Sequence, residues 1–442
     1  MSDEYSPGSR EIVAAIIELW QEEPLTESLS SAKLLSRLKN KKSEQKWILS
    51  EKRMKAALKE FNLQQNQPKF AYVKDIVSEI VPRFPSPAGV QIQMSKGKGK
   101  ALYATKSFRE GDKIWEEEPI IQAGPVDLLR IMRGGKACAY CAKLLRTTPE
   151  GQPYPRSGIA CINCTANWCS NHCKRLDIGH ADTHHDRMIR SNKAQISMAK
   201  WKQYEHFCLE ESWNAGYLFA MVLLHKIKHA KSIAKINETR YSEIIKGMAR
   251  VRQDIRQKAV TPTDSLEFEH HEQMWKRGYE LLAEAVKPVY SLDYVEYLEG
   301  LGMVNINNIR GCLFEIHANL NHNCEPNVIV DFKGISKADG ISVYARKDIP
   351  VGQELLTSYV NTTWGLDQRQ YELRVNWGFN CACARCKRER QAKLTPLVHP
   401  MKSVLKSSPP QSPIDQANQS PISDVSKNVH FDKNPVTLEI SG

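Results

Sequence analysis

Two C-x-x-C pairs, Cys138 with Cys141 in "CAYC" and Cys161 with Cys164 in "CINC", open a block that continues through Cys169, Cys173, His180 and His184. Thiolate and imidazole donors at such intervals suit tetrahedral Zn²⁺, and the eight of them suffice for two ions. The most economical pairing gives Cys138, Cys141, Cys169 and Cys173 to one ion. Cys161, Cys164, His180 and His184 then serve the other, with His185 competing for the last place. Interleaved pairs of this kind make a cross-braced fold held mainly by metal. A further group, "CACARC", supplies Cys381, Cys383 and Cys386, and three thiolates leave one corner of a tetrahedron empty. Among the 12 cysteines, Cys208, Cys312 and Cys324 are still unassigned. Cys324 sits in the polar stretch "NHNCEPN", whereas a simple core thiol favours an apolar face. It is therefore expected to complete this zinc; the alternative is a three-cysteine turn without metal.

These donors need a scaffold, and 442 residues allow one main domain with satellites. Residues 1–80 read as a basic helical module. One apolar stripe is Ile12, Ile16 and Trp20, a second is Leu34 and Leu38, and a third is Met54, Leu58 and Phe61, with Ser50 as N-cap of the last helix. The Pro-rich joint "VPRFPSPAG" precedes short strand patterns at 90–135. The Cys/His block fills 138–185 and a helical region 191–300, and strands resume in "NVIVDF" and "GISVYARKDI". From 394 to 442 the composition turns to Ser, Pro, Gln and Asn and reads as a disordered tail. The net charge of +12 favours an acidic partner such as DNA or a nucleosome, contacted through the N-terminal module, and a solvated basic surface is the plain alternative. No export signal is recognised in "EIVAAIIELW", and "YLFAMVLL" is far shorter than the roughly 20 residues of a bilayer span. A core helix, and no membrane association, is expected there.

The segments "GKGKALYAT" from Gly97, "NHNCEPN" from Asn321, "ARKDIPVGQELLTSY" ending at Tyr359, and "FNCACARC" resemble the SET-domain protein lysine methyltransferases. Within that family the match is to the split-SET class with an inserted MYND-like zinc finger, over about Val90 to Arg388. The resemblance implies an α+β fold of small sheets with a pseudoknot. The C-terminal part of the SET domain would occupy 301–361 and a zinc-bound post-SET segment 362–390. It also implies methyl transfer from S-adenosylmethionine to a lysine amine of a protein substrate, a histone tail in this family, by a monomer in the nucleus, on chromatin, and in the cytoplasm. About three structural zinc ions are expected. Tyr359 matches the catalytic tyrosine. Asn307, Asn321 and His322 match cofactor ligands, Phe379 the aromatic against the adenine, and Gly97, Lys98, Gly99, Lys100 and Ala101 the segment along the methionine end. Ala101 stands where a second glycine is usual, and Trp377 where a second tyrosine is common. The competing reading is an inactive chromatin- or protein-binding scaffold that uses the finger and the basic module.

Overall fold

The computed structural model describes residues 5–23, 26, 29–42, 47–61, 72–81, 84–95, 97–146, 159–185, 195–230, 242–259, 265–334 and 337–394. The expected tail lies, beyond residue 394, outside the described residues.

Three amphipathic helices, α1 (Ser9–Glu22), α2 (Ser31–Lys41) and α3 (Glu51–Glu60), bury Ile12, Ile16, Leu34, Leu38, Met54 and Leu58 against one another. The Ser50 hydroxyl accepts from the Arg53 N–H and caps α3, a bond that stabilises such a helix by about 1 kcal/mol. Part of the basic excess is neutralised within the module, since Arg37 pairs with Glu23, Lys41 with Glu22 and Lys42 with Glu18. Residues 72–81, grouped with this module by composition, pack on the main body instead. The Tyr72 hydroxyl donates to the Asn376 carbonyl at 2.6 Å and accepts from Arg256 Nε at 3.1 Å. Its ring lies over Gly378, where φ is +73° and an added Cβ would come within 2.7 Å of the ring, so only glycine fits.

The main body is built from β1 (Val90–Ser95), β2 (Gly99–Ala104), β3 (Lys113–Glu117), β4 (Ile121–Gln122), β5 (Cys312–Leu313), β6 (Asn321–His322), β7 (Val328–Phe332), β8 (Ile341–Ala345) and β9 (Leu356–Thr357). They form an antiparallel hairpin β1-β2, a three-stranded sheet in the order β3-β8-β7, and the small pairs β4-β5 and β6-β9. Leu102, Phe108, Trp115, Phe314, Val343 and Leu355 fill the core between them. The β6-β9 pair is parallel, with Asn321 opposite Leu356 and His322 opposite Thr357. Asn327 locks it: its amide donates to the Glu354 carbonyl at 2.8 Å, and its side-chain oxygen accepts from the Leu356 N–H at 2.7 Å. Two segments distant in sequence are thereby threaded side by side, which is the pseudoknot.

The helices Met198–Glu210, Asn214–Ala230, Leu266–Val286 and Tyr294–Asn307 pack around Trp201, Leu223, Trp275, Leu282, Tyr297 and Leu301. "YLFAMVLL" lies buried inside the second of them. The last runs beyond the expected end near residue 300, because Asp293 caps its start by accepting from the Glu296 N–H and its 14 residues then carry it to Asn307. Among the described residues no helix is long and apolar enough to cross a membrane.

Candidate active site and metal centres

Cys324, Cys381, Cys383 and Cys386 place their sulfurs within 4.8 Å of one another. The Cys324 sulfur lies 3.4 Å from that of Cys386 and 3.9 Å from that of Cys381. A tetrahedral zinc with Zn–S bonds near 2.3 Å sets its sulfurs about 3.8 Å apart, so this donor set fits the ion. Hydrogen bonds from the Cys324 and Cys381 thiols lower the Cys386 thiol, and the same contacts raise Cys381, so the charge of the metal-free cluster gathers on Cys386. Four thiolates around one Zn²⁺ leave excess negative charge, and Arg369 answers it. Its side chain is fully buried, donating to Glu389 Oε2 at 2.6 Å and pointing Nη2 at the Cys386 sulfur, 3.9 Å away. Gln370 holds both the N–H and the carbonyl of Cys381, fixing the loop that presents the cysteines.

In the finger, Cys138, Cys141, Cys169 and Cys173 converge in the same way, with Cys169 3.6 Å from Cys141 and 3.5 Å from Cys173. The second finger cluster is Cys161, Cys164, His180 and His185. His185 Nε2 lies 3.1 Å from the Cys161 sulfur and His180 Nε2 3.4 Å from that of Cys164. Of the two candidates for the last place, the structure brings His185 into the cluster and leaves His184 out of it. His184 closes the short helix His180–His184, bonds Thr183 Oγ1 through Nδ1 at 2.8 Å and stacks on His180. His185 follows in extended backbone, which swings its ring into the cluster. Behind His180, Asp177 lies 3.6 Å from Nδ1 and accepts from Trp168 Nε1 at 2.9 Å, a carboxylate placed to orient a ligating imidazole. Cys208 and Cys312 lie in apolar cores.

The knot carries the remaining chemistry. Tyr359 donates its hydroxyl to the Leu320 carbonyl at 2.6 Å, and its backbone N–H donates to His322 Nδ1 at 3.0 Å. Because Nδ1 accepts, the ring proton sits on Nε2, which faces the Cys324 sulfur at 3.3 Å. Both His322 nitrogens are therefore engaged inside the protein. Its side chain bridges Tyr359 to the cysteine cluster. Burial first, and the Glu354 carboxylate second, push the Tyr359 phenol up, so it stays neutral at ordinary pH.

Asn321 Nδ2 gives its hydrogens to the Lys100 carbonyl and to Glu354 Oε1, each at 3.0 Å. Both partners are acceptors, which fixes the amide and turns its oxygen the other way. Glu354 Oε2 in turn holds Lys98 Nζ at 2.7 Å. Gly97 and Gly99 take φ of +76° and +75° in the turn around Lys98, as the glycines of a close-approach loop do. Lys100 contributes its backbone; its side chain is buried against the Gly247 carbonyl, and desolvation lowers its pKa to about 8. Ala101 is fully buried. The Phe379 ring lies 6.0 Å from His322 and 6.4 Å from Tyr359, and Trp377 lies 5.1 Å from Tyr359, so the expected aromatics gather here. Asn307 is anchored elsewhere, its amide donating to the Met303 and Ala249 carbonyls at 2.7 Å each. The Leu320 carbonyl and Gln370 escaped sequence reasoning: a backbone oxygen leaves no residue-type signal, and Gln370 reads as one more polar helix residue.

A parallel knot beside a glycine turn and a terminal tyrosine defines a SET fold, and the SET-domain family model matches residues 99–360. Curated relatives called histone-lysine N-methyltransferase SET5 extend the match. The Yarrowia lipolytica protein is 38% identical over 88% of this chain and 84% of its own length. That of Candida albicans is 38% identical over 86% and 81%, and that of Saccharomyces cerevisiae 28% over 87% and 76%. The chain belongs to the SET-domain protein lysine methyltransferases.

Proposed function

We propose that the protein transfers the methyl group of S-adenosylmethionine to a lysine of a histone tail on chromatin, with three zinc ions holding the finger and the post-SET segment. The carrying observation is the neutral Tyr359 hydroxyl, bound to the Leu320 carbonyl at the knot where Asn321 is oriented. When bound, the cofactor supplies an electrophilic methyl on a sulfonium. Tyr359 donates its O–H hydrogen bond to the Leu320 carbonyl, so its oxygen presents lone pairs to a lysine amine and to the positive charge of an in-line displacement. A free lysine has a pKa of about 10.4 and is mostly protonated at pH 7. The half-buried aromatic surroundings of Tyr359, Trp377 and Phe379 disfavour the ammonium and release the amine. Most of the acceleration then comes from holding the amine in register rather than from a strong base. Asn321 Oδ1 would accept from the ammonium of the cofactor's amino-acid end, and Phe379 would offer a face to its adenine. The names of the relatives support the histone substrate and, with it, a nuclear site of action. Lys33, Lys39, Lys52 and Lys59, exposed on α2 and α3, are the residues through which the N-terminal module would meet nucleosomal DNA.

The test is methyl transfer from labelled S-adenosylmethionine to separated core histones. Tyr359→Phe should lower the rate by about a hundredfold or more. Equal labelling by both proteins, or none by either with cofactor bound and zinc present, sinks the proposal.

A further inference from the structure

Glu354 lies between two groups that the family resemblance treats separately. One carboxylate oxygen accepts from the Asn321 amide at 3.0 Å and the other holds Lys98 Nζ at 2.7 Å. Its own backbone is fixed on two sides, by the Asn327 amide on its carbonyl and by an antiparallel bridge to Tyr103 in β2. The side chain is only 13% exposed while that of Lys98 is 50% exposed. The carboxylate is thus a set piece of the knot, and the lysine is the movable partner at the rim of the glycine turn.

We propose that Glu354 is a positioning residue that makes the site selective for the amino-acid end of the cofactor. Through one oxygen it holds the Asn321 amide so that its carbonyl faces the cofactor's ammonium, and through the other it parks Lys98 where it can meet the carboxylate. The inference rests on the proposed use of S-adenosylmethionine. The free amino-acid end is a zwitterion, and Asn321 Oδ1 with Lys98 forms its complement in charge and hydrogen bonding. Without Glu354 the amide keeps one of its two restraints, the Lys100 carbonyl, and is held less firmly. Lys98 would also lose its anchor beside Gly97 and Gly99. None of these groups is assigned to the adenosine half, so the effect should be confined to ligands that carry the amino acid.

Calorimetric titration of the full-length, zinc-loaded protein tests this with two probes. S-adenosylhomocysteine keeps the amino-acid end and 5′-methylthioadenosine lacks it. Glu354→Ala should weaken S-adenosylhomocysteine roughly tenfold or more, as loss of charge-assisted hydrogen bonds does, and leave methylthioadenosine within about twofold. Glu354→Gln keeps an acceptor for Asn321 but not the ion pair, and should fall between Glu354→Ala and the native protein, close to Lys98→Ala. The two milder variants carry the test if Glu354→Ala fails to fold. Equal losses for both probes, or none for either, overturn the inference while leaving the proposed function standing. A native protein that binds neither probe overturns that function and the inference with it.

Discussion

The first finger site and the C-terminal cluster each gather four cysteines but close very different lengths of chain. Every finger donor lies between Cys138 and His185, and of what surrounds them Trp168, Asp177 and Tyr140 belong to the finger, while Ala338 joins the cluster from outside it. The C-terminal cluster joins Cys381, Cys383 and Cys386 to Cys324, which stands two residues from His322 in the knot. From the Cys324 sulfur a hydrogen bond runs to His322 Nε2, and from Nδ1 another runs to the backbone of Tyr359. A metal there would order the backbone that carries the candidate catalytic tyrosine, whereas a metal in the finger would order the finger. Identical coordination chemistry can thus be local stabilisation in one place and a support of the active site in another, and sequence separation decides which.

The largest expected effect separates the two. Cys324→Ser should lower zinc content by about one ion per chain and weaken cofactor binding roughly tenfold or more, although Cys324 touches no cofactor atom in this scheme. Cys164→Ser should also lose about one ion yet leave cofactor affinity almost unchanged. Metal analysis and calorimetry on the same preparations read both quantities. Equal loss of cofactor affinity in the two variants would erase the distinction. Next in size is Arg369→Gln. This fully buried cation faces Cys386 and Glu389, and removing it should cost about 3–5 kcal/mol, the penalty of leaving buried charge uncompensated. Denaturant unfolding measures that cost. A chelator titration should show earlier zinc release from the C-terminal cluster alone; release from all three clusters together would show that Arg369 acts on global stability instead.

Much of this contrast can be read from residue types. The three cysteine groups declare themselves by spacing, and Cys324 by its unsuitability as a core thiol, because metal donors need particular atoms at particular intervals. The three N-terminal helices follow from periodicity, down to the Ser50 cap, and the pseudoknot from the family's motifs. What the chain does not spell out are interactions that depend on tautomer, backbone and long-range packing. The resemblance implies a cofactor contact for His322 together with Asn321, but not that its two ring nitrogens meet Tyr359 and Cys324. Tyr72 reads as part of the N-terminal module, and only the folded chain shows it capping Gly378. By residue type alone Glu354 fits an ion pair or a solvated charge equally well, and the threading of β6 beside β9 is what sets it against Asn321.

The smallest effect concerns the choice between two adjacent histidines, and it tests whether the finger is as self-contained as the comparison requires. His185 points Nε2 at Cys161, while His184 spends Nδ1 on Thr183. His185→Ala should therefore lower zinc content by about one ion, and His184→Ala should leave it unchanged apart from a modest loss of helix packing. Both variants should bind cofactor like the native protein, since neither side chain contacts the knot. Loss of zinc on replacing His184, with full content retained on replacing His185, would reverse the assignment. A loss of cofactor affinity in His185→Ala would mean that the finger does reach the active site, and that chain separation alone does not decide what a metal supports.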